Sequence, residues 1–152
     1  MMKKWFVLVI LVSVFLISAC AGDSDELAGK TFDITYPPVL EEDLDNPSEY
    51  HSIATLDFSK GNKVSNTVDD TEGTYEINED VLLINFENKN EELNVNFNDF
   101  KDSTKDFSSY SAIIGETELN IEDSDQLKSL LKLSSELLEK TPVEFIEVSH
   151  WS

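Results

Sequence analysis

The chain holds a single thiol, Cys20, and that side chain is the one best placed for covalent chemistry. It closes the tetrapeptide Ile17, Ser18, Ala19, Cys20, behind an uncharged apolar run that begins at Trp5 and a basic start at Lys3 and Lys4. A charged n-region, a short apolar h-region and small residues at its end form the pattern of an export signal. The apolar run is shorter than the roughly 20 residues a helix needs to span a bilayer. Cysteines of exported proteins normally pair, so a lone thiol at this point reads as a site of covalent modification. The alternatives are a secretory signal with an incidental cysteine, and a membrane anchor.

Other reactive side chains are numerous but unorganised. Glu41, Glu42, Asp43 and Asp45, with Asp69, Asp70 and Glu72, carry the hard oxygens that calcium accepts. Their spacing lacks the alternating ligands, central glycine and terminal glutamate of a calcium loop, so they are expected to be solvated surface. His51 stands at the entry to a strand and His150 near the C-terminus, both expected to be bystanders. No nucleophile elbow accompanies the serines, and no glycine-rich phosphate loop is present. The expectation is a non-enzymatic protein with neither a bound cofactor nor a metal.

Charge narrows the partners. Aspartate and glutamate total 31 against 11 basic residues, all of them lysine. From Cys20 onward the formal charge is −22. Phosphate recognition depends on Lys and Arg, so nucleic acid is excluded as a partner. Flat docking on anionic lipid is disfavoured for the same reason. The length after Cys20 suits one domain, and with no second cysteine its fold must rest on hydrophobic burial.

Ile17 to Cys20 resembles the lipobox of bacterial lipoproteins. The resemblance implies a signal peptide over residues 1–19, removed before the cysteine, and a covalent diacylglycerol on Cys20, with or without an N-acyl chain such as palmitate. It also implies an outward-facing protein anchored in the cell membrane. The composition, free of arginine and rich in Asn, Asp, Ser, Lys and Ile, is associated with Gram-positive bacteria. Two acyl chains satisfy the need for two hydrophobic signals in stable anchoring. Residues 20–26 then read as the lipidated N-terminus and a flexible spacer.

From Leu27 the governing pattern is alternation with period two, the mark of half-buried antiparallel strands. Phe32, Ile34 and Tyr36 open it, and Pro37 and Pro38 end that run. Ala54, Leu56 and Phe58 are followed by a break at Ser59 to Asn62, where Gly61 can take a positive φ, and then by Val64 to Val68. Asp69 to Gly73 reads as a turn, Tyr75 and Ile77 as a strand, and Asn78 to Asp80 as a tight break. Val81 to Phe86 is the most apolar run, and Glu87 to Glu92 reads as a polar loop. Leu93, Val95 and Phe97 alternate with three asparagines. The pattern lapses around Phe100 and returns at Tyr110, Ala112 and Ile114, then at Leu119 and Ile121. This makes seven or eight strands before Ile121, without crossover helices, as in an antiparallel meander.

An amphipathic helix is expected over about residues 124–140, capped by Asp123 or Ser124. Its stripe joins Leu127, Leu130, Leu131, Ser134, Leu137 and Leu138, apolar except at Ser134, with Leu133 off it. Thr141 and Pro142 stop the helix, and Val143 to Val148 returns to a strand.

Strand meander, late helix and final strand make residues 27–152 similar to the lipocalin and calycin plan. Gly29 to Phe32 lie where that family has Gly-x-Trp, with Thr31 in place of Trp. Gly73 to Ile77 followed by Val81 to Ile84 looks like a segment of small lipocalin-like lipoproteins. The fold class is therefore mainly β with one C-terminal α-helix, as a lipocalin-like barrel or half-open barrel of seven to nine strands. The resemblance implies an apolar small molecule held by some of Phe32, Tyr36, Leu56, Phe58, Tyr75, Leu82, Ile84, Val95, Phe97 and Tyr110. The same residues could instead fill the core. In that case the acidic loops or the helix would engage an envelope protein.

Overall fold

Alternating side chains become the wall of a barrel in the computed structural model, which describes residues 26–68, 70–88, 91–122 and 129–149. Its strands are β1 (Lys30–Tyr36), β2 (His51–Ser59), β3 (Lys63–Asn66), β4 (Thr71–Asn78), β5 (Val81–Asn88), β6 (Glu91–Asp102), β7 (Tyr110–Ile121) and β8 (Pro142–Glu147). Each pairs antiparallel with the next, and β8 returns to β1 through Phe32↔Glu147 to Thr35↔Glu144. The half-open alternative is thereby replaced by a closed barrel, which leaves neither β1 nor β8 as a free edge.

The alternation sets the inside and the outside. On β5 and β6, Leu82, Ile84, Phe86, Leu93, Val95 and Phe97 are buried, while the residues between them are partly exposed. Bulges between Val95 and Phe97 and between Asn98 and Lys101 bend β6 against β7. They carry β6 through the polar stretch to Asp102. Gly115 does not split the following run, so β7 is one strand and seven strands precede the helix. The expected loop at Glu87 to Glu92 shrinks because β5 extends to Asn88 and β6 starts at Glu91.

Gly73 lies inside β4 and not in a turn, because the turn is complete by Asp70, whose φ is 50°. Gly73 pairs with Val64 on one side and Phe86 on the other. An added Cβ would run into the backbone carbonyl of Asn85. Glycine is needed here for close approach of two strands. Gly73→Ala is expected to lower stability by about 1–3 kcal/mol, the usual range for forced overpacking, read as a lower urea midpoint at unchanged slope. Gly61, by contrast, supplies the expected positive φ, 80°, in the β2–β3 turn.

The two barrel ends differ. Antiparallel order puts the start of β1 and the finish of β2 together, and there Leu27 is fully buried in the same core. Gly29 N–H donates to the Phe58 carbonyl at 2.7 Å and holds the entering chain to the wall. At the other end stands helix α1 (Ser129–Glu136), inserted between β7 and β8. Leu130, Leu133 and Leu137 are buried, whereas Leu131 and Leu138 are exposed. This corrects the expected stripe: α1 ends at Glu136, a turn follows, and Lys140 has φ 64°. Leu137 and Leu138 therefore leave the helical register, and the inward ridge runs through Leu133. Asp123, Ser124 and Leu127 lie outside the described residues, as do Cys20 and His150.

Candidate functional site

Ten residues are candidates for holding an apolar ligand: Phe32, Tyr36, Leu56, Phe58, Tyr75, Leu82, Ile84, Val95, Phe97 and Tyr110. All except Tyr36 are buried in the barrel core. The aromatic ones meet one another. Phe32 lies edge-on to Phe58 at 5.9 Å and to Tyr110 at 5.8 Å between ring centroids, and Phe58 reaches Tyr75 at 4.9 Å. Phe145 joins Phe32, Phe97 and Phe100 at 6.3, 5.4 and 5.3 Å, and Phe100 stacks on Tyr110 at 4.8 Å. Such edge-to-face pairs add about 0.5–1.5 kcal/mol each beyond simple burial. Leu82, Ile84 and Val95 complete the lining.

Two members of this chain of rings were not among the sequence candidates. Phe145 alternates with Val143 and so carried the strand signal, but its run is short and follows a helix. Phe100 is surrounded by polar residues, and only the bulged register of β6 brings it to Tyr110 and Phe145.

Tyr36 does not belong to the interior. Its hydroxyl donates to the Glu136 carbonyl at 2.6 Å and accepts from the Leu138 N–H at 2.7 Å. One side chain at the end of β1 thus satisfies a carbonyl of the last helical turn, which a helix end leaves without an intrahelical partner, and an N–H of the turn that follows. Tyr36→Phe is expected to cost about 1–2 kcal/mol, the worth of two ordinary hydrogen bonds. Faster amide exchange confined to α1 and the following turn would register it.

The tyrosines also set an alkaline limit. Burial raises the Tyr36 hydroxyl above its ordinary value of 10.0; the bond from Leu138 opposes this, and Glu136 adds to it. Burial likewise raises Tyr110, helped by Glu26 and Asp102, and raises Tyr50. A group raised on folding contributes stability that is complete below its unfolded value and lost as pH rises through its folded value. For these tyrosines the loss begins above about pH 10. The urea midpoint is expected to fall in that range, and less steeply in Tyr110→Phe.

The helix end of the barrel also carries a cleft. It has a volume of about 280 Å³ and is bounded by His51 to Ala54 of β2, by Asn66 and Val68, and by Lys132, Leu133 and Glu136 of α1. His51 is exposed, Asn66 is buried, and the Asn66 side chain accepts from the Val68 N–H at 3.3 Å. Nearby on the inner face of β6, Glu91 is buried with its Oε1 lacking a hydrogen-bond partner among the described residues. Two larger depressions, about 510 and 420 Å³, lie along the outer wall over β3 to β6. Their amides serve the wall itself: Asn85 Nδ2 donates to Glu92 at 2.7 Å and to Asn94 at 2.6 Å.

The connections from Pro37 to Tyr50 and from Ser103 to Ser109 meet on the outside of β8. Tyr50 packs edge-on to Phe107 at 5.1 Å, Lys105 pairs with Asp45 at 3.0 Å, and the hydroxyls of Ser103 and Ser108 donate to Glu144, each at 2.7 Å. Asp45 is thus engaged with lysine, not with a cation site. Among the described residues no three His, Cys, Asp or Glu side chains converge as metal ligands, and no helix is long and apolar enough to cross a membrane.

Fold and site together define a class: a closed eight-stranded antiparallel barrel with an aromatic core and one helix-capped, cleft-bearing end. Comparison with family models, with curated proteins and with solved structures finds no match to this chain.

Proposed function

We propose that the chain is a lipid-anchored, outward-facing bacterial surface protein without enzymatic activity, whose barrel serves as a packed support presenting its helix-capped end to an envelope protein. The observation that carries this reading is the ring-to-ring contact from Tyr75 to Phe145. An apolar small molecule inside the barrel would have to displace rings that already stabilise one another. The anchor reading rests on the tetrapeptide ending at Cys20, and it gives the two ends different surroundings. Cys20 precedes Leu27 by a spacer that reaches at most about 25 Å when fully extended. The Leu27 end then lies nearest the membrane, and α1 faces away from it.

The test uses cells carrying the full chain with a photo-reactive residue in place of Leu131, which is exposed on α1, or Thr74, which is exposed on the wall. Protein adducts are expected from position 131 and not from 74. Lipid extraction of the purified protein should yield only covalently attached acyl chains. A stoichiometric apolar molecule in the extract, or equal adducts from both positions, would overturn the reading.

A further inference from the structure

Most of the large aliphatic side chains left in water among the described residues gather toward one end of the barrel; Ile77, near the finish of β4, and Ile113, on the wall of β7, lie apart from them, and Ile121 ends β7. Val39 is 98% exposed, Val68 65%, Leu40 57%, Leu138 56% and Leu131 49%. Val39 and Leu40 follow β1, Val68 follows β3, and Leu131 and Leu138 belong to the segment between β7 and β8. In an up-and-down barrel the odd-numbered strands all finish at the same end, so these five residues share the α1 end. Exposed aliphatics concentrated in this way mark an interaction surface. The cleft between β2 and α1 opens there, with Val68 on one side and Leu133 and Glu136 on the other.

Charge selects the occupant. Glu41, Glu42 and Asp43 directly follow Val39 and Leu40, Asp70 is two residues from Val68, and Glu136 lies on the cleft. Lys132 is the lysine among the cleft residues. A second copy of the chain would bring the same acids, with a formal charge of −22 from Cys20 onward on each molecule. A segment that offers apolar side chains together with lysine or arginine complements both the aliphatics and the acids.

We infer that the cleft between α1 and β2 is a docking groove for a basic amphipathic segment of a partner protein. The inference rests on the reading of this end as the protein-binding end, and it adds the chemistry of the partner.

The experiment titrates the full chain, held in non-ionic micelles, with a leucine–lysine peptide of about four helical turns and with its leucine–glutamate counterpart, using micelles alone as the blank. Calorimetry is expected to show binding of the lysine peptide only. Val68→Lys and Glu136→Lys are each expected to weaken it at least about tenfold at low salt, equivalent to about 1.4 kcal/mol. Glu76→Lys, the same charge change on the outer wall, should weaken it less than about twofold, as expected for a charge outside the contact. Each variant must keep the thermal unfolding transition of the parent. Equal binding of both peptides, equal loss in the wall variant, or no binding of the lysine peptide would overturn the inference. Adducts from position 131 in cells, persisting despite such a result, would leave the protein-binding reading standing with a partner of different chemistry.

Discussion

Phe32→Ala lowers the stability of the barrel by about 3–5 kcal/mol, the range for deleting a buried phenylalanine ring. Phe32 is fully buried and lies edge-on to Phe58, Tyr110 and Phe145. Its loss removes the transfer energy of the ring, opens a cavity and ends three aromatic contacts at once. The wall around it is closed, so collapse into the cavity would require strands to move together against their ladders. A domain of this size has about 5–15 kcal/mol in total, so this one substitution removes a large share. Urea unfolding measures it directly. Val39→Ala, at a site that is 98% exposed, should change stability by no more than about 0.5 kcal/mol. A small effect at Phe32 would mean that the barrel interior is loosely filled, and the reading of a packed support would lose its basis.

Cys20→Ala has the other large effect, on location. Under the proposed anchor, two acyl chains hold the protein to the membrane at about 0.8 kcal/mol for each buried methylene. Among the described residues no helix is long and apolar enough to cross a membrane in its place. The surface of the domain is strongly acidic, and anionic lipid repels it. The variant is expected to leave the membrane fraction and to incorporate no labelled palmitate. Retained label in Cys20→Ala would refute acylation at this residue. Because Cys20 precedes the barrel, the released protein should keep the unfolding midpoint of the parent, which separates a lost anchor from a lost fold.

Much of the wall was legible because its signal is local. Leu93, Val95 and Phe97 alternate with asparagines and appear as buried and half-exposed residues of β6. Gly61 was read for its φ, and the turn adopts it. Closure was not legible. Pairing of β8 with β1 depends on the curvature summed over all strands, including the register shifts between β1 and β2 and between β6 and β7, and no short window carries that sum. Gly73 was misplaced because glycine marks turns and close approaches alike, and only the position of Asn85 distinguishes them. The helix stripe shifted because its phase depends on where the helix ends, and the Tyr36 hydroxyl participates in that ending from 102 residues away. The end proposed for docking was legible only in part. The acidic loop and the helix were visible as separate segments, and the barrel topology puts Val39, Val68 and Leu131 at one end.

Closure through β1 and β8 also sets an order of events in folding. Thr35 and Glu144 are 109 residues apart in the chain, and their segments cannot pair until nearly all of the protein has been made. Until then β1 and β7 are open edges beside apolar faces, the arrangement from which strands add to neighbouring molecules. Long-range pairing of this kind is slow, so the open sheet persists. The acidic excess acts at this stage: with a formal charge of −22 from Cys20 onward on each molecule, two unclosed copies repel each other while each waits for its own last strand.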